Sequence, residues 1–460
     1  MFKKLFVTGI IFSFFASLSF TQDEQVTVIG SLIKGTPIDT GSPISTFSAE
    51  EIGAQGNLNI VELIKMVPGS SGMDGEANQF GSNASEGISN INLRGLGTNR
   101  TLVLVNGKRQ VTVPIATGAG RSVNLHDLPM AALSRIEILK EGAAATYGSD
   151  AIAGVVNFIT DSTFEGLRVN IAGKSIPNTE GDGNEFSITY GQQLNDGTNF
   201  LLSLGAQQKK ELRASSTDYV TRSYAENGRG GWSSFGNPGT FVKYLDDDNA
   251  ATTAPLAYIT DPGCNAAGGY SQLLSLDQEV DHKNAAGDVV SSTALNGYHG
   301  LCRYQYAYFD NVQEDQTNAQ LWMEFNGDVN DEHNFHVEFA YGKTDVPNYA
   351  TSPSYPPNNP TATVVPNYHP ALQALYLQHP NFANLLKGSE FGGNGTTQAV
   401  AHGMFNRPFA VAGNPNGNSQ GAETEFRKYD VVRFAFDFEG SLTNDIDYRT
   451  GLNYSQSEGD

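Results

Sequence analysis

The chain has 460 residues, far more than one small core requires. It carries 28 Lys and Arg against 49 Asp and Glu, so its formal net charge at pH 7 is −21. This acidic balance disfavours binding to nucleic acid and to anionic lipid headgroups. Only 17% of the residues are charged and 50 are glycine, a composition typical of strands and polar loops rather than helices.

The N-terminus has the pattern of a secretion signal. Lys3 and Lys4 precede a short apolar run over 5–15, and small residues follow it. We expect a signal peptide over 1–21. The alternative is an uncleaved anchor, but the run is shorter than the ~20 apolar residues that a helix needs to cross a bilayer. No later window is apolar enough for such a helix, so any crossing of a membrane would have to use strands.

The chain has two cysteines, Cys264 and Cys302. In an exported protein a single pair favours one disulfide, and both residues lie in a long polar segment that we place outside the cell. Two unpaired buried thiols are the alternative.

Residues 43–165 combine helix and strand signals, which predicts a compact α+β domain. Ser48 and Glu51 have the spacing of a capping box, so a helix is expected to begin there. Asn106-Gly107 is a pair typical of a tight hairpin turn. A second helix is expected over 60–67. The strands are expected over 43–47, 91–93, 102–105, 108–113, 136–139 and 155–159.

From Leu167 onwards the pattern changes to alternation of apolar and polar residues. Near the end of the chain, for example, Phe434 lies on the opposite face from Arg433 if the segment is a strand. Segments of about ten residues with one apolar face are what a tilted membrane strand needs. We predict about seven antiparallel strands of a transmembrane β-barrel. The barrel would then be incomplete and have an open edge, and the simplest explanation is a truncated chain.

Short and long connections alternate between these strands. Short turns are expected near 194–197, 329–332 and 441–444, and long polar loops near 211–315 and 346–428. In an outer-membrane barrel the short turns face the periplasm and the long loops face outside. A soluble β-sandwich is the alternative, but it has no reason to keep this alternation.

Several segments resemble the plug and early barrel of TonB-dependent outer-membrane receptors. They are VTVIG at 26–30, INLRGLG at 91–97, VLVNGKR at 103–109 and, above all, RIEILKEGAAATYGSDAIAGVVNFIT at 135–160. Ala143 and Ala153 depart from the proline and glycine that many members carry. The resemblance implies a leader with a TonB box at 22–42, a plug at 43–165 and the first part of the barrel at 166–460. It also implies a Gram-negative outer membrane, with the plug facing the periplasm.

The resemblance also implies a contact segment for TonB. Glu24, Val26, Thr27 and Val28 are its expected residues, because a short extended leader can add as a strand to a partner's sheet. An ordinary first strand of the plug is the alternative.

Four charged residues flank the expected plug strands: Arg94, Arg109, Glu137 and Glu141. By the resemblance, they are expected to dock the plug against the barrel wall. Plain solvated charge is the alternative, since exposed ion pairs contribute only about 0–1 kcal/mol.

The function implied is TonB-energised import of a scarce ligand: an iron–siderophore complex, vitamin B12 or an oligosaccharide. The implied partners are TonB, its inner-membrane energising complex and the lipid of the outer membrane. We expect neither an enzyme nor a cofactor. We also expect no metal site, since His333 and His336 straddle a turn and a strand. Ligand contacts are expected from plug apices and external loops, with Tyr304 and Tyr306 among the candidates. The competing functions are a passive porin and a secreted sugar-binding or hydrolytic β-protein.

Overall fold

The computed structural model describes most of the regions expected to fold, in two compact units. Unit 1 runs up to Leu212 and includes Val312–Tyr349 and Glu425–Asp460, whereas unit 2 comprises Arg213–Asn311 and Ala350–Thr424. The described residues are 44–48, 51, 69–70, 86–114, 120–140, 143–177, 179–195, 197–218, 221–228, 231–234, 236–237, 240–244, 255–260, 263–266, 269–273, 279–283, 289–294, 300–330, 332–351, 364–365, 402–411, 423–443 and 446–460.

A five-stranded sheet forms the centre of what we call the N-terminal domain, residues 44–165. The sheet order is β1-β4-β5-β2-β3, with β2 and β5 parallel and the other neighbours antiparallel. The strands are β1 Ile44–Ser48, β2 Thr101–Val105, β3 Lys108–Arg109, β4 Leu133–Leu139 and β5 Gly154–Thr160. The described helices are α1 Ala144–Tyr147 and the 3-10 helices η1 Thr98–Arg100, η2 Leu125–Asp127, η3 Met130–Ala132 and η4 Ser149–Ala151.

The remaining strands follow in chain order. They are β6 Gly166–Lys174, β7 Gly183–Asn195, β8 Thr198–Lys209, β9 Leu212–Arg213, β10 Trp232–Ser233, β11 Gly236–Asn237, β12 Thr240–Tyr244, β13 Pro255–Thr260, β14 Tyr270–Leu273, β15 Glu279–Lys283, β16 Val289–Ala294, β17 Gly300–Gln305, β18 Asn311–Gln313, β19 Gln316–Asn330, β20 His333–Thr351, β21 Val364–Val365, β22 His402–Val411, β23 Glu423–Thr443 and β24 Ile446–Gly459. Two further 3-10 helices are η5 Ala214–Ser216 and η6 Tyr306–Phe309.

A seven-stranded sheet, which we call the wall, has the order β24-β23-β20-β19-β8-β7-β6. The pairs β6–β7, β7–β8, β8–β19, β19–β20 and β23–β24 are antiparallel over long registers. β7 and β8, β19 and β20, and β23 and β24 are joined by the short turns that the sequence predicts. The prediction of about seven antiparallel strands and an unclosed barrel is confirmed, with β6 and β24 at the edges of the described sheet.

The two long connections contain regular structure that the sequence patterns did not predict. Unit 2 holds a sheet of order β10-β17-β14, a sheet of order β11-β22-β12-β13 with β21 paired to β22, and the hairpin β15-β16. The strands are short, between two and ten residues, so they lack the long alternation that identifies the wall.

The two faces of the wall differ because successive strand residues point to opposite sides. Trp322 on β19 and Arg433 on β23 point towards the N-terminal domain and are fully buried. The opposite face is apolar yet exposed, most of all at Ile171, which is 78% exposed. Its other large exposed members include Leu167, Val169, Phe186, Tyr190, Leu204, Met323, Phe339, Val432, Phe434, Leu452 and Tyr454. None of the described helices is both long and apolar enough to cross a membrane.

The local predictions for the N-terminal domain have mixed outcomes. Ser48 and Glu51 form the predicted capping box, since Glu51 accepts from the Ser48 N–H at 2.8 Å and its own N–H donates to Ser48 Oγ at 3.2 Å. The strand predicted over 91–93 is wrong: Leu93 is buried but makes only one bridge, with Ser70. The strand predicted over 108–113 is shorter, ending at Arg109. The helix expected over 60–67 and the signal peptide lie outside the described residues.

Candidate functional site

The candidate site is a buried charged cluster between the N-terminal domain and the inward face of the wall. Glu338 lies at its centre on β20 and is fully buried. Its carboxylate accepts from Lys108 Nζ at 2.9 Å, Asn106 Nδ2 at 2.9 Å, Arg433 Nη2 at 2.9 Å and His336 Nε2 at 2.6 Å. Four side chains donate to this carboxylate, so its burial is compatible with a stable contact.

The β2–β3 hairpin carries two of these donors to the wall. Asn106 and Gly107 have φ of 50° and 75°, the left-handed conformation that a two-residue hairpin turn requires. The turn presents Lys108, whose ammonium also lies 2.6 Å from Asp437 Oδ2 on β23. One lysine therefore joins two carboxylates from different strands of the wall.

Arg433 binds the backbone of the same hairpin. Its guanidinium donates to the carbonyl oxygens of Val105 and Arg109, both at 3.3 Å, and to Gln110 Oε1 at 2.7 Å. A planar guanidinium offers several donors in fixed directions, so it holds the hairpin in one orientation as well as supplying charge. Asn453 on β24 adds a bond from its Nδ2 to the Arg109 carbonyl at 3.0 Å.

A second buried carboxylate, Glu324 on β19, lies directly opposite Glu338 in the β19–β20 register. It accepts from Trp322 Nε1 at 3.0 Å and Asn326 Nδ2 at 2.9 Å, and from the hydroxyl of Thr160 at the end of β5. His336 lies beside both carboxylates, with its Nδ1 3.6 Å from Glu324 Oε1. Glu324 and Glu338, both on the wall, therefore each accept a hydrogen bond from the five-stranded sheet.

Away from the charged cluster, neutral groups and apolar packing dominate the contact. Leu201, Trp322 and Ala340 of the wall belong to the same buried cluster as Leu125 and Leu128 of the N-terminal domain. Neutral polar bonds link the two parts at Thr189 Oγ1 to the Ala131 carbonyl, at 3.0 Å, and at Asn124 Nδ2 to Thr344 Oγ1, at 3.2 Å. A small cavity of about 30 Å³ lies between η2–η3 and strands β7, β8 and β19, with His126, Ser187, Ser203 and Gln320 in its lining.

A further ion pair joins the N-terminal domain to the wall. Glu86 is buried, and Arg427 on β23 approaches its Oε2 to 3.5 Å. Arg427 also donates to the Tyr349 hydroxyl at 3.1 Å and lies 4.7 Å from the centre of that ring.

The residues predicted to dock the N-terminal domain do not all contact the wall as Lys108 does. The Arg94 guanidinium donates to the carbonyls of Ile152 and Ala153, both at 3.1 Å, so these bonds lie inside the N-terminal domain and not on the wall. Glu137 is buried and accepts from Arg135 Nε at 2.9 Å. Glu141 lies outside the described residues. Docking roles for Glu137 and Glu141 stay predictions.

Among the described residues, the wall contacts Arg109 at its carbonyl oxygen, which accepts from Arg433 and Asn453. Its side chain turns to Asp150 and the Tyr147 carbonyl. Hydrogen bonding to Arg109 lowers the pKa of the Asp150 carboxyl below its ordinary value. Both side chains are nearly half exposed, so this pair contributes little to stability.

Sequence reasoning missed the residues that make the cluster, although a signal for the wall side was present. The charged residues of β20 and β23 lie on the polar face of strands whose other face is apolar, which marks them as lumen-facing. They are His336, Glu338, Arg433 and Asp437. Lys108 differs from the predicted Arg109 by one position in a hairpin, and only the register between the two parts decides which of them reaches the wall.

In unit 2, Cys264 and Cys302 form a disulfide with 5.7 Å between their Cα atoms. Elsewhere in unit 2, the Tyr224 ring stacks on Tyr270 at 4.6 Å and meets Trp232 edge-on at 5.5 Å.

The remaining site predictions have separate outcomes. Tyr306 lies in η6, and ligand contact by Tyr304 and Tyr306 stays a prediction. The predicted TonB-contact residues Glu24, Val26, Thr27 and Val28 lie outside the described residues.

His333 and His336 do not converge. His333 meets the rings of Phe438 and Tyr448 edge-on, whereas His336 bonds Glu338. In the part of the chain that the structure describes, no group of three or more acidic, histidine or cysteine residues is placed to hold a metal.

Comparison with known proteins gives one family match and several relatives. Residues 36–155 match the family model of the TonB-dependent receptor plug domain. An iron-regulated outer membrane virulence protein of Vibrio cholerae is 32% identical over 157 residues, which is 33% of this chain and 22% of that protein. The vitamin B12 transporter BtuB of Photobacterium profundum is 34% identical over 119 residues, 26% of this chain and 18% of the transporter. The match therefore spans about a fifth of the length of these relatives.

Among solved structures, a mutant of the ferric enterobactin receptor PfeA from Pseudomonas aeruginosa, in complex with enterobactin, is similar over 90% of this chain and 41% of that chain. The identity is 13% and the TM-score is 0.44.

Proposed function

We propose that this chain, whose residues 36–155 are a plug domain of the TonB-dependent receptor family, is the N-terminal part of an outer-membrane receptor for energy-coupled import. In this proposal the N-terminal domain is the plug, and the wall is the part of the barrel that surrounds it. The observation that carries the proposal is the position of this domain: it docks through buried charges on the polar face of a sheet whose other face is apolar and exposed.

The apolar outer face suits contact with lipid. Residues such as Leu167 and Ile171 are more than 60% exposed on strands of nine or more residues, a poor arrangement for water but a normal one for a membrane barrel. The short turns would then face the periplasm, and unit 2 would belong to the long external connections.

The charged cluster suits a plug that has to move. Charged groups can be rehydrated when they separate, so they offer a contact that is specific but reversible, whereas a wholly apolar seam would favour permanent closure. Removing only one partner of a buried pair typically costs about 3–5 kcal/mol, so the closed state holds against thermal motion and opens only when work is supplied.

The work would come from TonB acting on the leader. Residues 22–42 precede β1, which is an edge strand of the five-stranded sheet. Val26, Thr27 and Val28 favour an extended conformation, and an extended segment can add to a partner's sheet through its backbone. Force on this leader would reach the plug first at β1 and then at the contacts with the wall.

The ligand belongs to the proposal only as a class. The names of the relatives indicate iron regulation and vitamin B12 transport, so a ferric siderophore and a cobalamin are the first ligands to try. The predicted role is import and not catalysis.

Deletion of residues 24–30 tests the coupling. Purified periplasmic domain of TonB should bind the chain in detergent micelles, and this deletion should abolish the binding. Deletion of the equally long segment 34–40, which lies in the expected linker, is the matched control and should leave the binding intact. Equal binding by both variants would contradict the assignment of the TonB box.

Uptake of radiolabelled ferric enterobactin and cyanocobalamin by cells expressing the receptor tests the import step. Collapse of the proton gradient should stop uptake while surface binding of the same ligand continues. Uptake that continues at the same rate without the gradient would favour a passive porin instead.

A further inference from the structure

One buried acid in the contact between plug and wall has no part in the charged cluster. Asp127 ends the short helix η2 and is only 6% exposed, yet its Oδ1 has no hydrogen-bond partner among the described residues. A buried carboxylate without a donor is costly, whereas the neutral acid costs much less to bury.

The wall is shaped to receive this side chain closely. A Cβ added at Gly342 on β20 would lie only 2.8 Å from both Cβ and Oδ1 of Asp127. Any larger residue at Gly342 would therefore push η2 away from the wall, which indicates that the contact is close-packed and leaves no room for water on that side.

Among the described residues, the groups that face Asp127 provide no compensating positive charge. The inward positions of β19 and β20 nearest to it are Gln320, opposite Gly342 in the register, and Thr344. On its own element, His126 contacts the Asn318 side chain on β19. From β23, the like charge of Asp430 acts on Asp127. The Asp430 carboxylate accepts from the Tyr341 hydroxyl and lies 3.8 Å from Lys428 Nζ, a largely exposed pair that screens Asp127 little.

We propose that Asp127 makes the docking of the η2–η3 loop, residues 124–132, on the wall dependent on proton binding: the neutral acid docks against Gly342, and ionisation weakens the contact. Alkaline surroundings would then lower the work needed to displace this part of the plug. The inference concerns the closed contact itself, so it can fail or hold independently of whether the receptor imports a ligand.

The direction of the pH effect follows from linkage. Burial, with a smaller contribution from Asp430, raises the pKa of Asp127 from 3.8 to about 8 in the docked state. The docked state therefore binds this proton more tightly than an undocked, hydrated state does. Docking is strongest in acid, weakens as the pH rises from about 4 to about 8, and changes no further through this group above that range.

Trp322 provides a local readout of the contact. It is one of only two tryptophans, it is buried beside Leu125 and Leu128, and it lies two residues along β19 from Gln320. In a Trp232→Phe background, its fluorescence should shift to longer wavelength when the plug leaves the wall. Urea titration of that signal in detergent micelles gives a docking constant at each pH.

The test compares Asp127→Asn with the parent chain between pH 5 and pH 8. The ratio of the two docking constants should grow by roughly tenfold per pH unit, because only the parent has to hold a proton on residue 127 to dock. His126→Gln is the matched control for the neighbouring titratable group and should keep the parent's pH dependence between pH 7 and pH 8.

A ratio that stays constant with pH would overturn the proposal, as would loss of the pH dependence in His126→Gln. Gly342→Ala supplies a second test should Asp127→Asn fold poorly. It should weaken docking and reduce the pH dependence, because the added methyl separates Asp127 from the wall. Docking of Gly342→Ala that matches the parent in strength and in pH dependence would equally refute the idea.

Discussion

Replacement of Lys108 by methionine should weaken plug docking more than any other single loss of positive charge from the plug. The lysine joins Glu338 and Asp437, with side-chain exposures of 10%, 0% and 13%, so solvent screens these pairs little. Methionine keeps most of the side-chain volume and removes the charge. The substitution therefore leaves two buried carboxylates each without one partner.

The magnitude follows from the partners that remain. Loss of one partner from a buried pair costs about 3–5 kcal/mol. Glu338 retains Asn106, Arg433 and His336, so the expected loss lies just below this range, at about 2–3 kcal/mol. This corresponds to a docking constant roughly 30- to 150-fold smaller, at 1.4 kcal/mol for each factor of ten.

Urea titration of Trp322 fluorescence in the Trp232→Phe background measures this loss. Lys210→Met is the matched control, because Lys210 also pairs with a carboxylate, Asp315, but at 3.5 Å with side chains 49% and 33% exposed. An exposed pair contributes at most about 1 kcal/mol, so the control should change docking by less than fivefold. If Lys108→Met changes docking no more than Lys210→Met, the cluster does not hold the plug.

Three further predictions concern other parts of the chain. Replacing Cys264 and Cys302 by serine should lower the free energy of unfolding of unit 2 by up to about 4 kcal/mol, because the disulfide closes a loop of sequence separation 38; calorimetry that detects no change would contradict this. Asp150→Asn should cost less than about 1 kcal/mol at neutral pH, because the pair with Arg109 is largely exposed. Since the pKa of Asp150 is lowered in the folded state, that cost should be present above its ordinary pKa and disappear as acid protonates the carboxyl; an effect that grows in acid would be inconsistent. Deletion of 24–30 should abolish uptake in energised cells while surface binding of the ligand persists, and unchanged uptake would rule out the leader as the coupling segment.

Sequence patterns predicted the strands that are apolar throughout or apolar on one face. β2, β4 and β5 are runs rich in β-branched and leucine residues, and all three pair along the middle of the five-stranded sheet. The wall was predictable because its strands keep one apolar face over long stretches. Residues 91–93 failed for a related reason: their apolar side chains are buried, but burial alone does not supply a neighbouring strand.

The candidate site was less predictable because it depends on contacts between distant segments. Lys108 and Glu338 are separated by 230 positions, and the pattern on each strand gives only the face, not the partner across the lumen. Adjacent residues of a hairpin point to opposite sides, and the prediction of Arg109 identified the hairpin but did not identify its neighbour Lys108. Asp127 gave no signal at all, because the sequence does not indicate that its neighbours lack positive charge.

We propose that the N-terminal domain is a plug that must leave the wall for import. A reversible tether tests it most directly, with Ala131→Cys and Thr189→Cys, whose parent residues are joined by a 3.0 Å hydrogen bond between plug and wall. Oxidation of this pair in cells should stop uptake of whichever radiolabelled ligand, ferric enterobactin or cyanocobalamin, the parent imports, and reduction should restore it. Uptake at the parent rate with the tether fully oxidised would contradict the account.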